Sequence, residues 1–319
     1  MRKSTILTVF LLLGLLFLLP LKKEGEGEFV KIKVCKVVEH EAINSVVAGL
    51  CDYLKGLERL QQSGKKYNIS IETCQGNVAI ASQIIAKFVD AKADVIVTVG
   101  TIPSQAAYKY AKTGKAKVVF SSVTNPEDIS SDLQGKNITG VSNFIDLFPQ
   151  LELFKKIQPN LKSLGTIYNT SEANSFFIVK KLRTICDQLS IKLVEQGISK
   201  VSELPQATEK LSISADAVFI SNDNMALSGM NNIISICSKK NVPVYVSDTD
   251  QVEKGCTAAL GPNQYDIGIQ TGKIVERIVS GKDINRIAIQ YPETTELFVD
   301  TKSVIKIPDE VVSEAKAAF

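Results

Sequence analysis

Carboxylate side chains follow two apolar strand segments in the second half of this sequence. Asp248 and Asp250 come directly after the segment VPVYV, and Asp223 follows DAVFI in the sequence SNDN. Open α/β sheets bind ligands at the carboxyl ends of their strands, and a buried carboxylate there suits a ligand ammonium group. The same spacing also fits a plainer interpretation, in which these aspartates only cap the helices that follow.

A possible anion site lies earlier in the chain, where GTIPSQ (residues 100–105) ends an apolar strand and begins a helix. It supplies Thr101, Ser104 and Gln105. Free backbone N–H groups and hydroxyls at a helix start favour a carboxylate or a phosphate, although Thr101 could simply cap the helix. An anion site facing carboxylates across a cleft predicts a zwitterionic ligand such as an amino acid.

Other polar residues at predicted strand ends complete the candidate ligand-binding set: Glu39, His40, Ser122 and Asn169. For Glu39 and His40, a capping glutamate with a surface histidine is the alternative. Four aromatic residues could stack on an aromatic ligand, and each could equally be a core residue: Phe144, Tyr168, Phe176 and Tyr265.

Catalytic, metal and cofactor motifs are not found. His40 is the only histidine, there is no CxxC pair, and neither a GxSxG elbow nor a GxxxxGK loop occurs. Since a metal site or a catalytic triad needs more than these residues offer, we expect no enzyme activity, no metal and no cofactor. The six cysteines could form disulfides or remain buried thiols, with buried thiols favoured.

The elements that must position these residues are two runs of alternating strands and helices, over residues 30–123 and 163–248. Continuous apolar strands such as VIVTV indicate parallel sheets covered by helices. We therefore expect an α/β fold of two Rossmann-like lobes with a ligand cleft between them. Chain crossings near residues 138–146, near Gly261 and after a helix ending near Ser280 divide the lobes. The N-terminal lobe would be 29–141 plus 261–287, and the C-terminal lobe 142–260 plus 288–319.

Residues 1–28 have a basic start, an apolar run at 6–19 and a polar exit, which is the layout of a secretory signal. A retained N-terminal anchor is the alternative, although its apolar run is shorter than the ~20 residues of a membrane span. Of 37 basic residues four lie in or beside this leader, and the other 33 are balanced by 34 acidic residues. A nearly neutral body argues against a nucleic-acid partner.

Seven motifs occur in order from about Val30 to the C terminus: VVEHEAIN, GTIPSQAA, FSSVTNPEDI, GVSNF, YNTSEANS, SNDN and SDTDQVEKGCTAALGPNQYDIGIQTGK. Together they resemble the ABC transporter substrate-binding family that includes the tryptophan-binding TrpX-like proteins. The resemblance implies a type I periplasmic-binding-protein fold, a periplasmic or otherwise extracytoplasmic location, and delivery of a small ligand to a membrane permease with a separate ATPase.

The resemblance also implies an aromatic amino acid as ligand. It places Thr101, Ser104 and Gln105 on the carboxylate, Asp223 and Asp248 on the ammonium, and Glu39 and His40 in the cleft wall. Two positions depart from the family pattern: Glu41 replaces the proline that usually follows the histidine, and TIPSQ replaces a TPxxQ-like spacing. A membrane-tethered sensing module of the same fold, binding a sugar, nucleoside or peptide, is the alternative function, and an exported enzyme is a third.

Overall fold

The computed structural model describes residues 29–62 and 64–319. The predicted leader, residues 1–28, lies outside the described residues. Within the described ranges, no helix has both the length and the apolar composition needed to cross a bilayer.

The first sheet contains five parallel strands in the order β2-β1-β3-β4-β5. Its central strand β3, VIVTV, is buried along its whole length, as expected for a parallel strand covered on both faces. The strands are β1 (Phe29–Lys36), β2 (Lys66–Thr73), β3 (Val95–Val99), β4 (Val118–Ser121) and β5 (Ile138–Val141). The helices that alternate with them are α1 (Glu41–Arg59), α2 (Val78–Asp90) and α3 (Thr101–Ala111).

The second sheet contains seven strands in the order β12-β11-β10-β9-β8-β6-β7, and only its β10–β11 pair is antiparallel among the described pairs. The strands are β6 (Ser163–Asn169), β7 (Lys192–Ile198), β8 (Ala217–Ile220), β9 (Val244–Val246), β10 (Ala258–Gly261), β11 (Glu296–Val299) and β12 (Ala317–Ala318). The helices are α4 (Leu147–Ile157), α5 (Ala173–Gln188), α6 (Leu204–Ser214), α7 (Asn224–Ser228), α8 (Met230–Lys239), α9 (Gln264–Val279) and α10 (Asp309–Glu314). The structure thus confirms an α/β fold with two sets of parallel strands.

Helix α9 follows the second sheet in the chain but packs on α1 of the first lobe. The two helices meet through glycines. A Cβ on Gly49 would lie 2.1 Å from the Tyr265 carbonyl oxygen, and a Cβ on Gly268 would lie 2.0 Å from the Val46 oxygen. Only glycine permits so close an approach of two helix backbones.

The buried cores follow the same division. One core combines buried residues of 32–141 with residues 267–287, and two others cover the opposite faces of the second sheet. On this basis we propose the lobes 29–141 plus 261–287 and 142–260 plus 288–319. Gln290 still pairs with Val141 at the edge of the first sheet, so the last crossing lies next to that residue.

One sequence-based expectation needs correction, because residues 138–141, part of the expected crossing at 138–146, form strand β5 and the crossing begins after Val141. Between β8 and β9 the chain forms two helices, α7 and α8, which Gly229 separates. On α9 the buried face includes Ile267 and Ile274, whereas Tyr265 is exposed. Each of the six cysteines is a free thiol.

Candidate functional site

A polar cavity lies where the carboxyl ends of β1, β3 and β4 meet those of β6, β8 and β9. Both lobes contribute to its wall, which is lined by His40, Ala42, Ile43, Thr101, Ser122, Thr124, Asn143, Asn174, Asn222, Asn224, Leu227, Asp248 and Gln264. The free volume of the cavity is about 20 Å³, counted as the space that the centre of a water molecule can occupy. One or two bound waters need roughly this volume. The lobes are therefore closed on the cavity, and a larger ligand enters only when they separate.

Three lining side chains carry a buried polar atom that has no hydrogen-bond partner among the described residues. They are His40 Nε2 and Ser122 Oγ from the first lobe and Asn174 Oδ1 from the second. An unpaired buried polar atom costs about 1 to 3 kcal/mol. Three such atoms in one cavity wall are the groups that a bound ligand would satisfy.

Ser122 also has an unusual backbone conformation. Its φ is 51°, in the left-handed region that L-residues other than glycine seldom adopt. Strain of this kind is concentrated at functional sites. Because Ser122 directly follows β4, the strained backbone brings its hydroxyl to the edge of the sheet.

The start of α3 forms part of the same wall through Thr101. The preceding Gly100 has φ 98°, and a Cβ there would lie 2.7 Å from Cγ1 of Val37, so only glycine fits this turn. The free N–H groups at the start of this helix and the Ser122 hydroxyl are suited to bind a carboxylate.

The other two residues predicted at this anion site, Ser104 and Gln105, are not brought to the cavity. Ser104 Oγ is buried and donates to the Gly100 carbonyl oxygen at 2.7 Å. Gln105 is exposed, and its Nε2 donates to the Asp128 carbonyl oxygen at 2.7 Å. Both lie one turn into the helix, where Ser104 stabilises the helix start and Gln105 holds the segment at Asp128 instead.

Asp248 is buried at the opposite side of the cavity, 1% exposed. It accepts hydrogen bonds from the backbone N–H of Asp250 at 3.3 Å and from Gln251 Nε2 at 3.1 Å. Burial, followed by repulsion from Asp250, raises the pKa of Asp248 to about 7. Lys254, on the same loop, pairs with Glu41 of α1 instead. Asp248 thus has no ion pair among the described residues, and a ligand cation would supply one.

Asp223 lies behind the cavity wall. Its carboxylate accepts hydrogen bonds from the backbone N–H groups of Asn169 at 2.6 Å and Ala226 at 2.8 Å, and from the Ser175 hydroxyl at 2.6 Å. Burial raises the pKa of Asp223 even so. Because protein groups occupy both of its oxygens, the capping interpretation describes Asp223, and its role is to hold the loop that carries Asn222 and α7.

Asn169 and Glu39 are also outside the cavity lining. Asn169 Nδ2 donates to Glu172 Oε1 at 2.7 Å. Glu39 points to solvent, with 59% of its side chain exposed and an ion pair to Lys36 at 2.8 Å. Its neighbour His40 does reach the cavity, and burial lowers the pKa of His40 to about 4.

The sequence did not identify one hydroxyl and five amide side chains of the wall: Thr124, Asn143, Asn174, Asn222, Asn224 and Gln264. Several lie in strand-end segments already recognised as polar, such as YNTSEANS and SNDN, but the pattern does not tell which residue of a loop faces inward. The predicted aromatic partners do not line the cavity. Phe144 packs edge-on against Phe177 at 5.3 Å, and the Tyr265 hydroxyl donates to Asp52 at 3.1 Å.

The sequence matches known proteins over most of its length. The family model for ABC transporter substrate binding proteins matches residues 31–318. A tyrosine-binding protein from Clostridioides difficile is 28% identical over 284 residues, which are 88% of this chain and 81% of that protein.

Solved structures give the same result for the fold. A conserved domain protein from Vibrio cholerae superposes with a TM-score of 0.85 at 32% identity, covering 92% of this chain and 100% of that one. An ABC domain from Streptococcus pneumonia, solved in complex with L-Trp, superposes with a TM-score of 0.83 at 24% identity, covering 91% of this chain and 100% of that one. At this identity the second structure supports the fold alone.

Proposed function

The chain belongs to the family of ABC transporter substrate-binding proteins, and from this premise we propose that it captures an aromatic amino acid between its lobes and presents it to the permease of an importer. The family is one of solute-binding proteins rather than enzymes, and the substrate-binding proteins of ABC importers work outside the cytoplasm. In this proposal, residues 1–28 direct export and are then cleaved, or stay as an anchor.

Asp248 is the observation that carries the proposal of an amino acid. It is a carboxylate buried in the cavity wall, and the described residues give it no ion pair. A ligand ammonium beside it would form a charge-assisted hydrogen bond in a site shielded from water. At the other side of the cavity, Ser122 Oγ and the start of α3 at Thr101 are free to bind the ligand carboxylate.

The aromatic side chain is supported by the tyrosine-binding relative. Within the cavity its ring would lie against the apolar lining residues Ala42, Ile43 and Leu227. The present cavity is far smaller than an aromatic amino acid, so the lobes must separate for the ligand to enter. Reclosure around the ligand would then be the signal that a permease recognises.

Thermal unfolding of the purified protein against the twenty amino acids, simple sugars, nucleosides and short peptides tests the proposal. A ligand that binds only the folded protein raises the unfolding midpoint, by an amount that grows with ligand concentration over Kd. We expect a shift with aromatic amino acids that is absent with their decarboxylated amines. A shift with sugars or nucleosides alone would refute the assignment of Asp248 and Ser122 to a zwitterion.

A further inference from the structure

The wall that the second lobe contributes to the cavity presents hydrogen-bond acceptors. Asn174, at the start of α5, is 2% exposed, and its Nδ2 donates to the backbone oxygen of Asn222 at 3.1 Å. This bond fixes the orientation of the amide, because a flipped side chain would bring two oxygens together. Oδ1 of Asn174 is therefore the end left for the cavity, where it is buried with no partner among the described residues.

The side chain of Asn222 is oriented in the same sense. Its Nδ2 donates to the backbone oxygen of Asn143 at 3.4 Å, and no group of the described residues donates to its Oδ1. Asn174, Asn222 and Asp248 lie beyond β6, β8 and β9, which are neighbours in the second sheet. Adjacent strands are about 4.8 Å apart, so one small ligand group can contact more than one of these side chains.

Buried carboxyl groups behind this wall favour a cation. Besides Asp248, the second lobe buries Glu172 and Asp223, which are 7% and 4% exposed. Within the described ranges none of the three forms an ion pair. Burial raises the pKa of Glu172 and of Asp223, and a cation nearby would stabilise their ionised forms.

A wall of oxygen acceptors beside buried carboxyl groups suits a cation that carries several N–H donors. A ligand carboxylate has no donor, and a phenol or an indole offers a single donor without charge. We propose that this wall is an ammonium site in which Asn174 Oδ1 accepts one N–H while Asp248 pairs with the charge, so that the protein selects primary amines. The inference rests on the proposed function, because it gives the ammonium of the amino acid a second partner.

Dimethylation of the ligand nitrogen isolates this contact. An N,N-dimethyl amino acid keeps its positive charge but has one N–H in place of three. Asp248 and Asn174 cannot then both bind an N–H, and one buried acceptor stays unpaired. We expect the affinity to fall at least about tenfold.

Calorimetry at pH 8 compares L-tryptophan and L-tyrosine with their N,N-dimethyl derivatives. In the unmodified protein, a parent amino acid that binds should do so tenfold or more tightly than its derivative. Asn174→Leu nearly keeps the side-chain volume but has no acceptor, so the affinity for the parent should fall about tenfold and that for the derivative should not. The ratio should then be near one. The control Asn232→Leu, at an exposed position of α8, should keep the original ratio.

Equal affinity for parent and derivative in the unmodified protein overturns the role of Asn174 and leaves the amino-acid site standing. A ratio that Asn174→Leu does not change overturns it as well, because steric exclusion of the methyl groups would then explain the preference. L-phenylalanine is the third probe. If Asn174→Leu weakens tyrosine but not phenylalanine, the ligand side chain meets this oxygen and the ammonium does not.

A second variant covers the case in which Asn174→Leu does not fold. Asn174→Ala also removes the acceptor, so it should weaken the parent amino acid and spare the derivative, and an equal loss for both ligands would show a structural role only. If no aromatic amino acid binds the unmodified protein, the proposed function fails and this inference fails with it.

Discussion

Ligand affinity should fall as the pH drops below about 7, because Asp248 must be ionised to pair with a ligand ammonium. Burial and the nearby charge of Asp250 raise the pKa of Asp248 from 3.8 to about 7. The hydrogen bond from Gln251 and the charge of Lys254 act in the opposite direction but do not cancel this rise. A bound ammonium favours the ionised carboxylate, so the proton leaves as the ligand binds.

The size of the effect follows from one titrating group. Each pH unit below its pKa weakens binding about tenfold, or about 1.4 kcal/mol. Between pH 8 and pH 5 the dissociation constant should therefore rise roughly 100-fold. Asp250 is a second carboxyl group whose pKa is raised by burial, but it does not line the cavity. Substitution of each residue in turn separates the contributions of the two carboxyl groups.

The Asp248→Asn variant keeps the shape of the side chain and removes its titration. We expect it to weaken ligand binding at pH 8 by about 2 to 5 kcal/mol, as truncation of a buried charged pair does, and to abolish the pH dependence. The matched control Asp250→Asn should keep the affinity at pH 8 and still show a decline at lower pH, but this decline should be shifted to lower pH because the charge of Asp250 no longer raises the pKa of Asp248.

Folding stability should change in the opposite sense. The folded pKa of about 7 is above the unfolded value near 3.9, so the folded state holds this proton more tightly. The favourable contribution of Asp248 is complete below about pH 4 and is lost as the pH rises to about 7, a total of about 4 kcal/mol. Without ligand, Asp248→Asn should therefore unfold at a higher temperature than the unmodified protein at pH 8.

Calorimetry at pH 5, 6, 7 and 8, in two buffers of different ionisation enthalpy, measures affinity and proton release together. Thermal unfolding without ligand compares the folding stability of Asp248→Asn with that of the unmodified protein. An affinity that is constant over this range, together with no proton release at pH 7, would show that Asp248 is ionised before binding or lies away from the ammonium. Equal unfolding temperatures for the two proteins would show that its burial is not costly.

Three further substitutions test other parts of the site and fold. Ser122→Gly and Ser122→Ala should each weaken ligand binding about tenfold in calorimetry. Because φ is 51° at this position, the glycine variant should unfold at a higher temperature than the alanine variant. Equal unfolding temperatures for the two variants would argue against backbone strain. Lys254→Met removes an ion pair with Glu41, in which the two side chains are 35% and 53% exposed. The ligand affinity should therefore change less than about fivefold. A larger loss of affinity would give this ion pair a role in lobe closure. Gly268→Ala places a Cβ 2.0 Å from a backbone oxygen of α1 and should lower the free energy of unfolding, measured in urea, by more than about 2 kcal/mol. The control Gly56→Ala has open space around its Cβ and should raise this free energy slightly.

Much of the fold can be predicted because parallel strands that are buried on both faces appear in the sequence as continuous apolar runs. β3 is the plainest case, since all five of its residues are buried. The sequence does not predict β5, because ITGV is short and contains Gly140. Its place beside β4 depends on a close approach, in which a Cβ on Gly140 would lie 2.0 Å from the Phe120 carbonyl oxygen. Such a contact between distant segments has no local signal.

The site is predictable to a similar degree and for a related reason. Thr101, Ser122 and Asp248 lie within two residues of a strand end, and the sheet edge itself brings them to the cavity. Further along each loop the direction of a side chain depends on the local turn. Ser104 thus turns back to its own helix start, and Asp223 caps α7 inside the second lobe.

The same groups that would bind a ligand explain why ligand and closure should be coupled. In the closed form His40 Nε2, Ser122 Oγ and Asn174 Oδ1 are buried without partners, and Asp248 is buried without an ion pair. A ligand shifts a conformational equilibrium only through a difference in affinity for its two states, and about 5.5 kcal/mol moves a 1:99 population to 99:1. Three unpaired atoms, at about 1 to 3 kcal/mol each, are together of that order. All of this cost falls on the closed form, because open lobes would let water reach these atoms. A ligand that pairs with them therefore stabilises the closed form selectively, and an analogue that leaves one of them unpaired should close the lobes less completely as well as bind less tightly.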